Sequence, residues 1–312
     1  MRRILLLAMV AAAATTALHA ADGAMPIWEP TVITQPGHYV VTRDITTAAG
    51  PVLNIQVANV SIDFNCNTLE TADAAAAVVH YIPPPTEADH ADGSIRIFNG
   101  TLHGGMYGVL VEGPAQTAVA LHDLRIGSAT EAAVKVDNVG SLEARGIIVI
   151  DAKVGMDLAT DTSAGDPRGQ ASISDVSIQA EGGIHCASVN CDVRDGVFDI
   201  GSAVATTPAL MLTDAVGGGA RGIIIVNSMP AGSNPMVELI GSRGIIIVNS
   251  RVYGGGASGI SPCVRSDATS HDTRIQHSSL SGCGQEGVRL LSDGNVVADN
   301  SINDNGTDGI HV

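Results

Sequence analysis

The octapeptide Arg-Gly-Ile-Ile-Ile-Val-Asn-Ser occurs twice in this chain, at residues 221–228 and at residues 243–250. A third, slightly altered copy at residues 145–151 reads Arg-Gly-Ile-Ile-Val-Ile-Asp. Each copy contains a run of β-branched residues that is too short for a helix, and Gly, Asn and Asp bound the run as they bound strands between turns. The recurrence of one such strand indicates a repeat architecture.

A second motif consists of two apolar residues separated by one residue of any kind, usually after a small residue. The mean spacing of this triplet along the chain is about 25 residues, which leaves room for two or three short strands in each repeat. The triplets lie at residues 109–111, 134–136, 156–158, 184–186, 210–212, 237–239, 260–262, 288–290 and 310–312.

Short strands cannot bury an apolar face alone, but coils stacked in parallel bury it against their neighbours. The sequence therefore predicts an all-β fold, a right-handed parallel β-helix built as a single-stranded solenoid of roughly 10–11 coils. Sharp corners between strands favour Asn, Asp and Gly, which tolerate positive φ. We expect one ladder of corner residues after the same strand of successive coils, at Asn99, Gly127, Asp151, Asn227, Asn249 and Asn300.

The N-terminus has the pattern of an export signal. Arg2 and Arg3 precede an apolar stretch at residues 4–18, and small residues follow at Ala20 and Ala21. A basic start, a short apolar run and a small residue at the cleavage point are typical of a secretory signal peptide, and the run is too short for a membrane span. We predict a signal peptide at 1–20 and a secreted or periplasmic protein without a membrane span.

The remaining chain divides into an N-terminal cap with the first coil at 21–50 and the parallel β-helix at 51–312. A loop at 79–92 interrupts an early coil, because the three consecutive prolines at 83–85 cannot join a strand ladder. The sequence stops inside a triplet at 310–312, so either the sequence is partial or the open coil edge there allows end-to-end self-association.

Composition restricts the class of partner. Hydrophobic residues make up 45% of the chain and aromatic residues only 3%, so small aliphatic side chains must fill the core. The 32 acidic and 16 basic residues give a net charge of −16, which repels phosphate backbones. We therefore expect no nucleic-acid partner.

Five cysteines allow two disulfides and leave one thiol in an oxidising compartment. Cys186 and Cys191 would close a short loop, and Cys263 and Cys283 lie close to one repeat apart. No Cys-x-x-Cys pair occurs, so the sequence does not support a cysteine zinc site.

The chain resembles the right-handed parallel β-helix superfamily that includes pectate-lyase-like proteins and the copper-associated nitrous-oxide-accessory repeat proteins. The similar stretches are Pro-Gly-His-Tyr-Val-Val-Thr-Arg-Asp-Ile at 36–45, Asn-Val-Ser-Ile-Asp-Phe-Asn at 59–65 and Asn-Ser-Ile-Asn-Asp-Asn-Gly at 300–306. The resemblance covers roughly residues 30–312 and implies the architecture. It also implies that polysaccharide is bound, and in many members cut, on one strand face and its flanking turns.

Strand alternation points the middle residue of each triplet outward, and stacking makes successive middle residues neighbours about 4.8 Å apart. The expected outer row is Leu110, Lys135, Asp157, His185, Met211, Glu238, Ser261, Arg289 and His311. Lys135, Asp157 and His185 are the candidate catalytic residues, because a cation, a carboxylate and an imidazole could supply charge neutralisation, acid and base to a uronic-acid sugar. A solvated strand face with mutual charge pairing is the alternative.

The candidate substrate-binding residues are Glu238 and Arg289 in the row and Tyr107 and Tyr253 in turns leading into the triplets. Acidic residues after the triplets could hold a hard oxygen-ligated cation such as calcium. The candidate ligands are Asp137, Asp161 and Asp166. Copper, which one branch of the similar proteins suggests, would need Met and His side chains to converge.

Two functions remain open. The first is an exported β-helix that binds an acidic polysaccharide, with or without cleaving or epimerising it in the manner of a lyase or epimerase. The second is a non-catalytic surface, scaffold or adhesion protein. The chain departs from the catalytic signatures of the similar proteins, since it has Asp-Pro-Arg at 166–168 where epimerases have Asp-Pro-His, and it lacks the paired aspartates of the hydrolases.

Overall fold

The fold, seen in a computed structural model that describes residues 23–82, 93–113, 117–138, 140–160, 169–201, 207–227, 234–254 and 261–312, is a parallel β-helix of about 10 turns. Every strand pairing between coils is parallel, and the described residues contain no helix. The fold class predicted from the repeats is therefore confirmed. The predicted signal peptide at 1–20 lies outside the described residues.

Each coil contributes strands to three faces, which we call A, B and C in chain order. Four long strands turn a corner and so belong to two faces. Face A contains β2 (Thr31–Ile33), β5 (Leu53–Ile55), β8 (Ala77–Tyr81), β10 (Tyr107–Glu112), β12 (Ala132–Asp137), β14 (Ile148–Ala159), β16 (Ser177–Ala187), β19 (Leu210–Thr213), β22 (Val237–Ile240), β25 (Val264–Ser266), β28 (Val288–Leu290) and β31 (Ile310–His311).

The other two faces follow the same order along the axis. Face B contains β1 (Met25–Ile27), β3 (Gly37–Val41), β6 (Val60–Asp63), β9 (Ser94–Gly104), β11 (Ala118–Gly127), β13 (Ser141–Arg145), β15 (Gly169–Ser174), β17 (Val189–Arg194), β20 (Gly219–Arg221), β23 (Ile246–Val248), β26 (Arg274–Gln276) and β29 (Val296–Ala298). Face C contains β4 (Ile45–Thr47), β7 (Thr68–Thr71), parts of β9, β11, β14 and β16, then β18 (Val197–Ile200), β21 (Ile224–Asn227), β24 (Arg251–Tyr253), β27 (Ser279–Ser281) and β30 (Ser301–Asn303).

The core consists of vertical columns of small aliphatic side chains. On face A, Val134 pairs with Met156, which pairs with Ile184, and all three are fully buried. Each strand places alternate side chains inward, so every coil adds a layer to one continuous core. Burial of these columns is the main stabilising contribution, at about 25 cal/mol per Å² of apolar surface removed from water.

The corners between faces B and C have one residue at positive φ in successive coils, as the turn residues predict. Asn99 and Asn249 adopt φ values of 66° and 53° at these corners. Three other predicted positions are not part of this column, because Gly127 and Asn227 end strands of face C and Asp151 follows one. Asn300 lies one residue after the corner, where Asp299 takes the positive φ. The expected single ladder is therefore wrong, since it combines residues from different corners.

The two identical octapeptides lie on different faces. Ile224 and Val226 of the first copy belong to face C, whereas Ile246 and Val248 of the second copy belong to face B. Both copies have the same local structure, with the glycine at positive φ followed by alternating buried and outward side chains. Any face accepts this in–out alternation, so the motif determines a strand but not its position in the coil.

The boundary of the inserted loop also differs from the prediction. Val79 and Tyr81 are buried in β8, where they pair with the preceding coil, so the insertion cannot begin at residue 79. Their side chains occupy the same core positions as those of Leu53 and Ile55 in the preceding face A strand. Residues 83–92 of the predicted loop lie outside the described residues.

Two disulfides staple the coils, and both match the predicted pairs. Cys186 on face A bonds to Cys191 on face B, and Cys263 bonds to Cys283. All four side chains are buried. Cys66 is the free cysteine among the described residues and is exposed.

The part of the chain covered by the structure includes no helical segment with the length and hydrophobicity needed to cross a lipid bilayer.

Candidate functional site

The middle residues of the face A strands form one unbroken column, which we call the face A ladder. Each member pairs directly with the next one along the axis, and each except the last, His311, lies between two buried residues. The ladder consists of Asn54, His80, Leu110, Lys135, Asp157, His185, Met211, Glu238, Arg265, Arg289 and His311.

One member of the outer row expected from the sequence is wrong. Ser261 lies before the strand and is buried, and Arg265 occupies the ladder position between Glu238 and Arg289. Pro262 cannot donate a ladder hydrogen bond, so the strand begins after it and the true triplet is centred on Arg265. The correction replaces a neutral side chain by a cation.

The structure brings the three candidate catalytic residues together. Lys135 pairs with Asp157, which pairs with His185 on the next strand. The Nζ atom of Lys135 lies 3.6 Å from Oδ2 of Asp157 and 3.7 Å from Oδ1 of Asp137. The same ammonium lies 6.0 Å from the ring centroid of Tyr107, at the limit of a cation–π contact.

The charge state of Lys135 follows from its neighbours. Burial by itself lowers the pKa of this lysine, but the attraction of Asp137 and Asp157 is together stronger, so the pKa is raised. Lys135 therefore stays cationic at neutral pH and can neutralise a carboxylate.

The pKa of His185 shifts in the opposite direction to that of Lys135. Burial lowers the pKa of its imidazole, and the attraction of Asp157 and a hydrogen bond to the Pro208 carbonyl offset this only in part. Its Nε2 atom is buried and has no hydrogen-bond partner among the described residues. The imidazole is therefore uncharged at neutral pH, and one of its ring nitrogens has a lone pair that can accept a proton.

A second charged cluster lies further along the same ladder. Arg265 donates a short hydrogen bond from Nη2 to Oε1 of Glu238, whose side chain is buried. Arg289 pairs with Arg265 on the next strand, and its Nε atom is buried without a partner in the described part of the chain. Two adjacent guanidinium groups with one carboxylate leave one uncompensated cation.

The two candidate tyrosines are separated by the fold. Tyr107 is the first residue of β10 and flanks the ladder beside Lys135. Tyr253 ends β24 on face C and is exposed there, so the prediction that it lies in a turn beside the triplets is wrong.

The candidate calcium ligands are only partly described. Asp137 ends β12, and its closest described charge is the Lys135 ammonium, which competes with a metal ion for the carboxylate. Asp161 and Asp166 lie outside the described residues. No group of three or more His, Cys, Asp or Glu side chains in the described ranges is arranged to hold a metal ion. The calcium site stays a prediction.

The triplets predicted from the sequence begin at Val109 and so omit a hydrogen-bonded His–Glu pair at the N-terminal end of the ladder. The Nε2 atom of His80 lies 2.6 Å from Oε2 of Glu112. The pattern Val79-His80-Tyr81 has the triplet's two core residues around an outward one, and that signal could have found it.

Comparisons with known proteins give little further information. No protein-family model matches the chain, and none of the curated proteins matches it. Among solved structures, the chain is similar to the Azotobacter vinelandii mannuronan C-5 epimerase AlgE6 A-module, with a TM-score of 0.42 and 11% sequence identity over 89% of this chain and 87% of that chain. A similarity of this size carries no information about catalysis.

Proposed function

We propose that this protein binds an acidic polysaccharide along the face A ladder. The observation that supports the proposal most is the unbroken column itself, in which Lys135, Arg265 and Arg289 recur on one face of a chain with a net charge of −16. Coils about 4.8 Å apart present one side chain per step to a ligand lying along the axis. A polymer with one carboxylate per sugar matches such a periodic surface.

The cations of the ladder have different roles in this proposal. Arg289 has no ion-pair partner among the described residues, so its guanidinium can bind a sugar carboxylate directly. Arg265 is held by Glu238 and presents its remaining N–H groups beside Arg289. Lys135, between two aspartates, forms a second contact about six coil steps, roughly 29 Å, away from Arg289 along the axis.

A reaction at Lys135, Asp157 and His185 is the second candidate function, and the neutral imidazole beside a cation favours it. His185 would remove the proton α to a uronate carboxylate, and Lys135 would stabilise the charge that develops on that carboxylate. The carbanion then has two possible outcomes. Expulsion of the sugar oxygen on the neighbouring carbon, which takes up a proton from water, leaves an unsaturated end, whereas addition of a proton from water on the opposite face gives the epimer. The Nε2 atom has no exposed surface, so this reaction requires the surrounding side chains to move.

Secretion, calcium dependence and end-to-end self-association remain predictions. They are compatible with a polysaccharide partner outside the cell. A calcium ion bound at Asp137 would reduce the repulsion between an acidic protein and an anionic polymer.

The experiment measures binding of polygalacturonate, alginate and the neutral polymer dextran by isothermal titration calorimetry, with and without calcium. We expect both uronates to bind and dextran not to bind. The double variant Arg265→Gln/Arg289→Gln should weaken uronate binding by at least about tenfold, or about 1.4 kcal/mol. The matched control Arg251→Gln/Arg274→Gln removes the same charge from faces C and B and should change affinity less than about twofold.

Failure of both uronates to bind under all conditions would refute the proposal. Ultraviolet absorbance of unsaturated ends and proton NMR of the polymer separate the two candidate functions. Binding without either change identifies a non-catalytic protein, whereas a reaction that His185→Ala abolishes identifies an enzyme with the site described above.

A further inference from the structure

A polar cavity of about 500 Å³ lies on face B, apart from the face A ladder. It spans β13, β15, β17 and β20, four strands that follow one another along the axis. Its lining side chains include Gln170, Ser172, Asn190, Asp192, Arg194 and Arg221. The proposed function on face A uses none of these residues.

Strand register explains how the cavity forms. Ser172 pairs with Asp192, which pairs with Gly219, so the column of outward side chains stops at a glycine. Gly219 adopts a φ of 137°, and a Cβ there would lie 1.9 Å from the Ile246 carbonyl oxygen. The backbone of this coil therefore requires glycine, and the neighbouring Gly218, which also has no side chain, lines the cavity.

Asp192 lines this space and contacts two arginines. Its Oδ2 accepts a 2.9 Å hydrogen bond from Nε of Arg194, and Oδ1 lies 3.6 Å from Nε of Arg221. Oδ1 is buried and has no hydrogen-bond partner among the described residues. A carboxylate in this position fixes the guanidinium planes while leaving one acceptor atom unused.

Several donors remain free around the aspartate. The terminal nitrogens of Arg221 form no hydrogen bond in the described part of the chain, and half of that side chain is exposed. Asn190 uses its Oδ1 to accept a 2.9 Å bond from the Val216 amide, so its NH₂ group is available. The side chains of Gln170 and Ser172 have no hydrogen bond to described residues and line the same space.

The cavity therefore offers one net positive charge, a guanidinium fork and a ring of amide and hydroxyl groups. We propose that it binds a small hydroxylated monocarboxylate, such as a single uronic acid. The carboxylate would lie against the free fork of Arg221, which matches its planar two-oxygen geometry. The hydroxyl groups would exchange hydrogen bonds with the side-chain amides of Gln170 and Asn190 and with the hydroxyl of Ser172. This site is independent of the polymer-binding proposal.

The test uses ligand-observed saturation-transfer NMR titrations of the full chain with sodium galacturonate, glucose and sodium acetate. Galacturonate should bind. Glucose, which lacks the carboxylate, and acetate, which lacks the hydroxyl groups, should each bind at least about tenfold more weakly. Arg221→Gln should weaken galacturonate binding about tenfold. Ser172→Trp should fill the cavity and abolish binding. Ser177→Trp, which adds the same ring on face C, is the control and should bind as the wild type does.

Three results would overturn the proposal. Galacturonate does not bind, or it binds Arg221→Gln and Ser172→Trp as it binds the wild type, or acetate binds as tightly as galacturonate. Arg289→Gln distinguishes the two proposals. It should weaken polygalacturonate binding on face A, whereas Arg221→Gln and Ser172→Trp, added to it, should still reduce galacturonate binding as they do in the wild type. If polygalacturonate does not bind but galacturonate binds and Arg221→Gln weakens that binding, the polymer-binding proposal is refuted and the face B site is supported.

Discussion

Lys135 and Asp157 are direct neighbours on adjacent strands of face A, with 3.6 Å between the Nζ atom and Oδ2. They are 22 residues apart in the sequence, and only the stacking of coils brings them together. The same stacking places His185, which follows Asp157 by 28 residues in the sequence, beside it on the next strand. Every functional argument for face A depends on these pairings between adjacent strands along the axis.

Replacing Lys135 should reduce affinity for a uronate polymer. Lys135→Met removes the cation and leaves Asp137 and Asp157 to repel the ligand, so we expect about tenfold weaker binding in calorimetry with polygalacturonate. Lys135→Arg keeps the charge and should lose much less. Equal affinity of the Met variant and the wild type would remove Lys135 from the binding surface.

Stability should depend on the protonation of His185. Burial lowers the pKa of this histidine in the folded state below its unfolded value of about 6.5. Between these two values the unfolded chain binds more protons, so the free energy of unfolding falls as the pH drops from neutral through 6.5. His185→Gln lacks this contribution, and its urea midpoint should fall less than that of the wild type between pH 8 and about pH 5. Identical pH dependence in both proteins would contradict the buried neutral imidazole.

The two disulfides should contribute unequally to stability. Cys263 and Cys283 enclose a loop with a sequence separation of 20, against 5 for Cys186 and Cys191. Loop-closure entropy in the unfolded chain then assigns roughly 3 kcal/mol to the longer loop and roughly 2 kcal/mol to the shorter one. Double Cys→Ala variants of each pair, unfolded in urea without reductant, should rank in that order, and a reversed order would mean that packing of the buried sulfurs dominates.

Asn249 tests the corner geometry between faces B and C. Its φ of 53° lies in the left-handed region, which Gly adopts freely and β-branched residues do not. Asn249→Gly should change the free energy of unfolding by less than about 0.5 kcal/mol, whereas Asn249→Val should destabilise by about 1–2 kcal/mol. Thermal melts of the two variants would reveal a different corner if Val were tolerated as well as Gly.

The sequence determined the repeat and its inward columns, because alternation of apolar residues translates directly into core and surface. Val134, Met156 and Ile184 stack as predicted, and both cysteine pairs bond as predicted. These features depend on local pattern and on the mean period.

The absolute position of a motif in the coil could not be predicted. Connections between strands vary in length, so the pattern alone does not distinguish the triplet at 260–262 from the strand centred on Arg265, and it does not place Tyr253 on face C. The identical octapeptides on faces C and B show the same limit, since one local pattern fits several faces. The polar cavity around Asp192 had no sequence signal, because its lining residues come from four different coils.

The most direct test of the polymer-binding account is amide hydrogen exchange, read by mass spectrometry, with and without saturating polygalacturonate. Binding along the face A ladder should slow exchange in the strands that carry Lys135, Asp157, His185, Arg265 and Arg289, namely β12, β14, β16, β25 and β28. Exchange in β21, β24 and β27 of face C should not change. Slower exchange in the face C strands, with unchanged exchange in the face A strands, would contradict the account.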